Sequence, residues 1–220
     1  MHGQLSFDIE ACDVLSICGD IVPLDIQMAD RKVFKWLQDV FLPWVDKQPC
    51  DMVLYVPGNH DWTMQRNPKK VKEILGESGV TMLIDEGVTV KDDDGRDIAF
   101  YGTPWCKQFY HWAFMDYTQE ELPKVFKKIP NKLDILLTHD APYGVSDILL
   151  QDNNYGVDGQ HIGNRALADA ILEKMPKICL HGHLHSTNHN VERLGSTDVY
   201  NVSLLDENYK MAYKPFNFFI

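Results

Sequence analysis

The sequence predicts an α/β fold, and three observations carry that reading. Short apolar runs rich in β-branched residues recur along the chain, amphipathic stretches with helical spacing lie between them, and several of the runs break at once into a polar turn containing Gly, Asn or His. The first run is Asp13 to Cys18, which stops at Gly19-Asp20. A helix is predicted next, from Ala29 to Val45, because Val33, Phe34, Leu37, Val40 and Phe41 fall at spacings of three and four. Met52 to Val56 reads as the second strand and ends at Pro57-Gly58-Asn59-His60. A helix over Pro68 to Leu75 follows. Val88 to Val90 and Ile98 to Tyr101, flanking Asp92-Asp93-Asp94-Gly95, give a hairpin signal. Gln119 to Lys128 has helical spacing, and Ile135 to Leu137 is a strand running into Thr138-His139. Arg165 to Lys174 is again helical, Ile178 to Leu180 is a strand leading to His181-Gly182-His183-Leu184-His185, and Val199 to Val202 is a last short strand before an aromatic tail. In open α/β sheets the chemistry gathers at the carboxyl ends of the strands, so the turns after these runs are expected to converge.

Bulk properties bound the function. With 220 residues, 45% apolar and 24% charged, the chain is expected to form one domain over 1–220 with a sizeable core. No stretch approaches the roughly 18 apolar residues of a membrane helix, and the start lacks a secretory pattern, so no membrane partner is expected. The five cysteines are scattered and form no C-x-x-C pair, which fits a reducing cytoplasm. A net charge of −11 repels polyanions and disfavours long nucleic acid as a substrate.

Asp, Asn and His suit hard to borderline divalent cations, and they stand at the strand ends as Asp20, Asn59, His139, His183 and His185. His183 and His185, two apart, would lie on one side of an extended segment, and Gly182 lets the backbone come close. Taken in order, Gly19-Asp20, Gly58-Asn59-His60-Asp61, His139 and Gly182-His183-Leu184-His185 resemble the calcineurin-like metallophosphoesterase family. Tyr101-Gly102-Thr103-Pro104-Trp105, Thr138 to Gly144 and His161-Ile162-Gly163-Asn164 further resemble its small single-domain branch, that of the metallophosphoesterase-domain-containing proteins.

The resemblance implies a four-layer α/β/β/α sandwich holding two divalent metal ions, with manganese, iron, zinc, cobalt and nickel all compatible. It implies that Asp20 bridges the ions, that His2 and His185 complete the first site, and that Asn59, His139 and His183 complete the second. The family's first Asp would fall two residues before His2, upstream of Met1, together with the strand leading into it; the expectation is a sandwich whose first strand is truncated, the alternative being a first metal site that has lost this ligand. By the same resemblance His60 is the catalytic acid.

Two ions held roughly 3.5–4 Å apart stabilise both the attacking and the leaving oxygen of an in-line displacement and lower the pKa of bound water, so no protein nucleophile is required. Asp61 is expected to orient and charge the His60 imidazole. The aromatic segment from Phe100 to Tyr117 is read either as ordinary packing or as a wall against which an aryl group stacks, with Trp105 as the test residue. His161 is read either as a substrate contact or as a helix cap. The expected function is hydrolysis of a small phosphate ester, a phosphodiester such as a cyclic nucleotide or a phosphomonoester. The rival readings are a protein phosphatase and an inactive binding scaffold of the same fold.

Overall fold

The computed structural model describes residues 1–150 and 156–220. Its described strands form two sheets. The smaller contains β1 (Cys12–Cys18), β2 (Cys50–Val56) and β3 (Val80–Met82), all parallel and in that order. The larger has the order β4-β5-β6-β7-β9-β8, with β4 (Glu86–Lys91), β5 (Asp97–Thr103), β6 (Ile135–Thr138), β7 (Ile178–His181), β8 (Glu192–Leu194) and β9 (Thr197–Asn201). Strands β5, β6, β7 and β9 are parallel, and antiparallel β4 and β8 close the two edges. The expected hairpin is the β4–β5 pair.

Cys18, Leu54, Val56, Phe100, Leu137 and Leu180 meet between the sheets and form the inner layer of the core. The outer face of the small sheet packs against α1 (Asp30–Trp36), α2 (Leu42–Val45), α3 (Trp62–Arg66) and α4 (Pro68–Gly76), through residues such as Val33, Phe41, Tyr55 and Leu75. The outer face of the large sheet packs against α5 (Leu122–Phe126) and α6 (Arg165–Lys174), through Leu122, Phe126, Leu167 and Ile171. The order of layers is α/β/β/α, as expected. No helix among the described residues is long and apolar enough to cross a membrane.

Local chemistry explains where the elements depart from their predicted bounds. The helix expected from Ala29 to Val45 holds a wide π turn at Leu37–Phe41. Pro43 has no N–H to give to the turn before it, and the wider turn takes up that defect. Helix α5 covers only half of its predicted span; it starts at Leu122, with Pro123 in its first turn, where a missing N–H costs nothing. Strand β3 and helix α3 are too short to show a period in sequence.

Register sets the position of the turns. Cys18 lies beside Val56 in the small sheet and Thr138 beside His181 in the large one, so Gly19-Asp20 emerges next to Pro57-Gly58-Asn59 and His139 next to Gly182-His183. Beyond β1, a groove of about 740 Å³ runs between the sheets, lined partly by Phe216 and Phe218, and reaches Asp20, His183 and His185.

Candidate metal centre

The four turns meet. His139 crosses from the large sheet to the small one, its Nδ1 donating to the Cys18 carbonyl at 2.9 Å. With that proton committed, a neutral imidazole presents a bare lone pair at Nε2. Yet Nε2 faces Asn59 Oδ1 at 2.9 Å and Asp20 Oδ2 at 3.3 Å, so three acceptor atoms converge on one point. Such an arrangement repels itself unless the ring takes a second proton or a cation sits among the donors. Asp20 Oδ2 also lies 3.4 Å from His2 Nε2, which places the carboxylate between two imidazoles. The rings of His139 and His183 are 4.9 Å apart, and those of His2 and His185 5.8 Å apart. The residues expected at the two metal positions therefore form two adjoining groups that share Asp20.

Electrostatics suit a cation. Burial opposes ionisation of Asp20, but His139, His60 and His2 around it hold its pKa well below the ordinary value. Burial drives His2 down to about 2, although Asp20 pulls the other way. His183 is lowered well below its ordinary value by loss of water and then by His139, and His185 is lowered by burial. Three of the four ring donors are thus neutral at physiological pH, the form in which imidazole ligates. His185 Nδ1 donates to the Asp206 carbonyl at 3.0 Å, which leaves its Nε2 as the ligating atom. His2 Nδ1 is buried without a hydrogen-bond partner. Glycine keeps the space open: a Cβ on Gly19 would stand 2.0 Å from His139 Nδ1, and one on Gly58 2.2 Å from Asp20 Oδ1. The donor set, the orphaned ring nitrogen and the glycine cradle fit divalent cations bound between oxygen and imidazole ligands.

His60 reaches the same cavity, since ligating atoms of His2, Asp20 and His60 all lie within 4.8 Å of one another. Its backbone N–H donates to Asp20 Oδ1 at 2.8 Å. The expectation that Asp61 orients this imidazole is corrected here. Asp61 is fully buried and accepts from the backbone N–H groups of Asp20 (2.8 Å), Val22 (3.2 Å) and Gly58 (2.8 Å) and from the Tyr55 hydroxyl (2.6 Å). A carboxylate surrounded by four donors is committed to bracing the two turns that carry Asp20 and Asn59. The partner of His60 is Gln27, whose Oε1 lies 2.8 Å from Nδ1. The sequence held no sign of it: Gln27 belongs to no motif and stands 33 positions away.

The aromatic segment does border the site, but through other residues than Trp105. The Trp105 indole N–H donates to Asp85 Oδ2 at 3.0 Å, and its ring packs on Phe114 and Tyr117. Trp112 instead lies 4.6 Å from the His60 ring and Phe109 5.6 Å from the His183 ring. The Lys107 N–H donates to Asp140 Oδ2 at 2.8 Å and the Ala113 N–H to the Asn59 carbonyl at 3.1 Å, so the segment is tied on both flanks of the centre. His161 is not the cap of α6, a role taken by Asn164, whose Oδ1 accepts from the Leu167 N–H. Its Nδ1 pairs with buried Asp147 at 2.6 Å.

Comparison with known proteins agrees with this fold. A human protein, metallophosphoesterase domain-containing protein 1, is 25% identical over 92% of this chain and 63% of its own length. A UPF0046 protein of Caenorhabditis elegans is 32% identical over 97% of this chain and 56% of its own. The chain thus spans less than two thirds of the length of these relatives. Among solved structures, phosphopantetheinyl hydrolase from Mycobacterium tuberculosis shares the fold with a TM-score of 0.56 at 14% identity, covering 93% of this chain and 84% of that one. A Thermus thermophilus protein gives 0.54 at 16%, covering 87% and 76%. The family description that matches residues 4–187, a span holding every residue of the centre except His2, is that of the calcineurin-like phosphoesterases. The chain belongs to the calcineurin-like phosphoesterase family.

Proposed function

We propose that this chain hydrolyses small phosphate esters at a dinuclear metal centre. His2, Asp20 and His185 would hold one ion, and Asp20, Asn59, His139 and His183 the other. The observation that supports it most is the convergence of His139 Nε2, Asn59 Oδ1 and Asp20 Oδ2, which are three acceptors when the ring is neutral and are then reconciled by a cation among them. Divalent ions bound there supply Lewis acidity and an acidified water.

The protein does the rest. His60, with Nδ1–H donating to Gln27 Oε1, would act as the imidazolium, giving its Nε2 proton to the departing oxygen of the ester and being left as the neutral Nδ1–H ring. Asp61 keeps the Asp20 and Asn59 turns at a fixed separation, so the oxygens that would hold the ions are already in place before an ester arrives. Phe109 and Trp112 wall the cavity and favour a leaving group with a planar face. The acidic balance of the chain, −11, turns the choice toward small esters over polyanions. A cyclic nucleotide, another small diester and a phosphomonoester all meet these demands.

A second reading rests on the closeness of His60 to His2 and Asp20: the His60 imidazole would be a fourth ligand of the first ion, beside His2, Asp20 and His185. One variant separates the two. As a proton donor, H60A keeps both metal equivalents and loses turnover; as a ligand, H60A loses one equivalent.

The deciding experiment measures metal content by mass spectrometry after loading with manganese, zinc or cobalt, then assays aryl phosphates, cyclic nucleotides and dinucleotides. Bound metal with turnover of one ester class supports the proposal. A chain that binds no metal and turns over nothing is a binding scaffold of the same fold. Turnover confined to phosphoprotein would make it a protein phosphatase.

A further inference from the structure

The turn from Asp206 to Lys210 lies beyond residue 187, where the family match stops, and it presses on the metal centre. Its construction is tight. Asp206 Oδ1 accepts from the backbone N–H groups of Asn208 (2.8 Å) and Lys210 (3.0 Å), the Tyr209 N–H donates to the Asp206 carbonyl at 2.9 Å, and the Asp206 N–H donates to the Lys210 carbonyl at 2.8 Å. Tyr209 is thereby held at φ +58, a left-handed conformation that an L-residue with a bulky side chain adopts only when its surroundings impose it. That conformation brings its ring edge-on to two of the expected ligands: 4.9 Å and 90° from His2, 5.5 Å and 84° from His185.

The two imidazoles need such support for different reasons. His185 has its Nδ1 fixed by the Asp206 carbonyl, the same oxygen that closes the turn, so the turn sets its tautomer directly. His2 has no such bond, because its Nδ1 is buried and unpartnered. Ligating imidazoles are ordinarily aimed by a hydrogen bond to the ring nitrogen that does not bind metal. For His2 the aim comes from packing alone, with Tyr209, His60 and His185 as its ring neighbours.

We propose that the Asp206–Lys210 turn is an outer brace of the centre and that Tyr209 is a positioning residue, which sets the angle of the His2 and His185 rings and through them the affinity for the ion they share. This rests on the metal-centre reading above, and the test keeps the two apart. Wild type, Y209F and Y209A of the full chain are stripped with a chelator and titrated calorimetrically with manganese; the cobalt-loaded forms are compared by visible absorption, which reports coordination geometry without turnover.

Y209F keeps the ring and binds as wild type does. Y209A weakens one of the two ions by about 10- to 100-fold, leaves the other in place, and alters the cobalt spectrum. Wild-type and Y209A titrations that coincide overturn the brace and leave the metal centre standing; a wild-type chain that takes up no ion overturns the metal centre itself. Should Y209A fail to fold, D206A provides the same comparison, since it removes the carboxylate that holds the turn closed while His2 and His185 are untouched.

Discussion

Gln27 Oε1 accepts a hydrogen bond from His60 Nδ1 at 2.8 Å, and this pairing sets how the proposed acid works. An amide oxygen fixes the ring and its tautomer without placing a negative charge beside it. The contribution of His60 should therefore depend on how badly the leaving oxygen needs a proton. Q27L is expected to lower kcat/KM for an alkyl diester by about tenfold or more and for a 4-nitrophenyl ester by less than about threefold, because nitrophenolate departs unaided. Losses of equal size on the two esters would remove Gln27 from this role.

Asp61 serves architecture, and its removal should register in stability. D61A leaves the N–H groups of Asp20, Val22 and Gly58 and the Tyr55 hydroxyl without their acceptor in a dry environment. The expected loss is about 3–5 kcal/mol of unfolding free energy, seen in urea as a lower midpoint at unchanged slope. H60A, at a half-buried position with one side-chain bond, should cost far less. The two midpoints falling together would contradict the division of labour.

Selectivity should follow Trp112 more than Trp105. Truncating Trp112, 4.6 Å from His60, is expected to raise KM for an aryl diester about fivefold, the equivalent of roughly 1 kcal/mol of aromatic contact. A methyl ester should barely notice. Kinetics of W112A and W105A on both esters, with the larger KM effect on the aryl ester in W105A, would reverse the assignment.

Metal affinity should rise with pH. Burial opposes a charge on His139, but Asp20 and the Cys18 carbonyl outweigh it and hold the pKa of this ring above its ordinary value in the metal-free protein. A protonated ring cannot ligate, so affinity rises as pH climbs through that raised pKa and is lost below it, with a proton released on binding wherever the free ring carries one. Calorimetry in two buffers of different ionisation enthalpy measures the release. No buffer dependence at about pH 7 would mean that His139 is already neutral or is not a ligand.

Gly58 isolates steric crowding from backbone strain, since its φ is not positive and a Cβ there would stand 2.2 Å from Asp20 Oδ1 and 2.6 Å from His139 Cε1. G58A is expected to lose metal while keeping the far-ultraviolet circular dichroism of the parent. Full metal occupancy in G58A would show that the cradle has room to spare.

Much of the centre is legible in the sequence. Asp20, Asn59, His139, His183 and His185 stand in turns immediately after apolar runs, and a run buried on both faces advertises itself by composition alone. The parallel register then brings those turns together, as Cys18 beside Val56 and Thr138 beside His181 demonstrate. Residues whose role depends on direction were not legible. Asp61 adjoins His60 in the chain, but its carboxylate turns to Asp20, Val22, Gly58 and Tyr55.

By itself the sequence determined most of the strands and helices in their order and the donor atoms at the strand ends, because burial periodicity and residue chemistry are local properties, while the layering was legible only through the resemblance to a family. Only the tertiary structure decided that Gln27 pairs with His60, that Trp112 lies against His60 and Phe109 against His183, and that Tyr209 closes on His2 and His185. Those partners are set by side-chain direction across segments far apart in the chain. A hydrogen bond or a ring contact of a few ångströms leaves no periodic trace in a sequence.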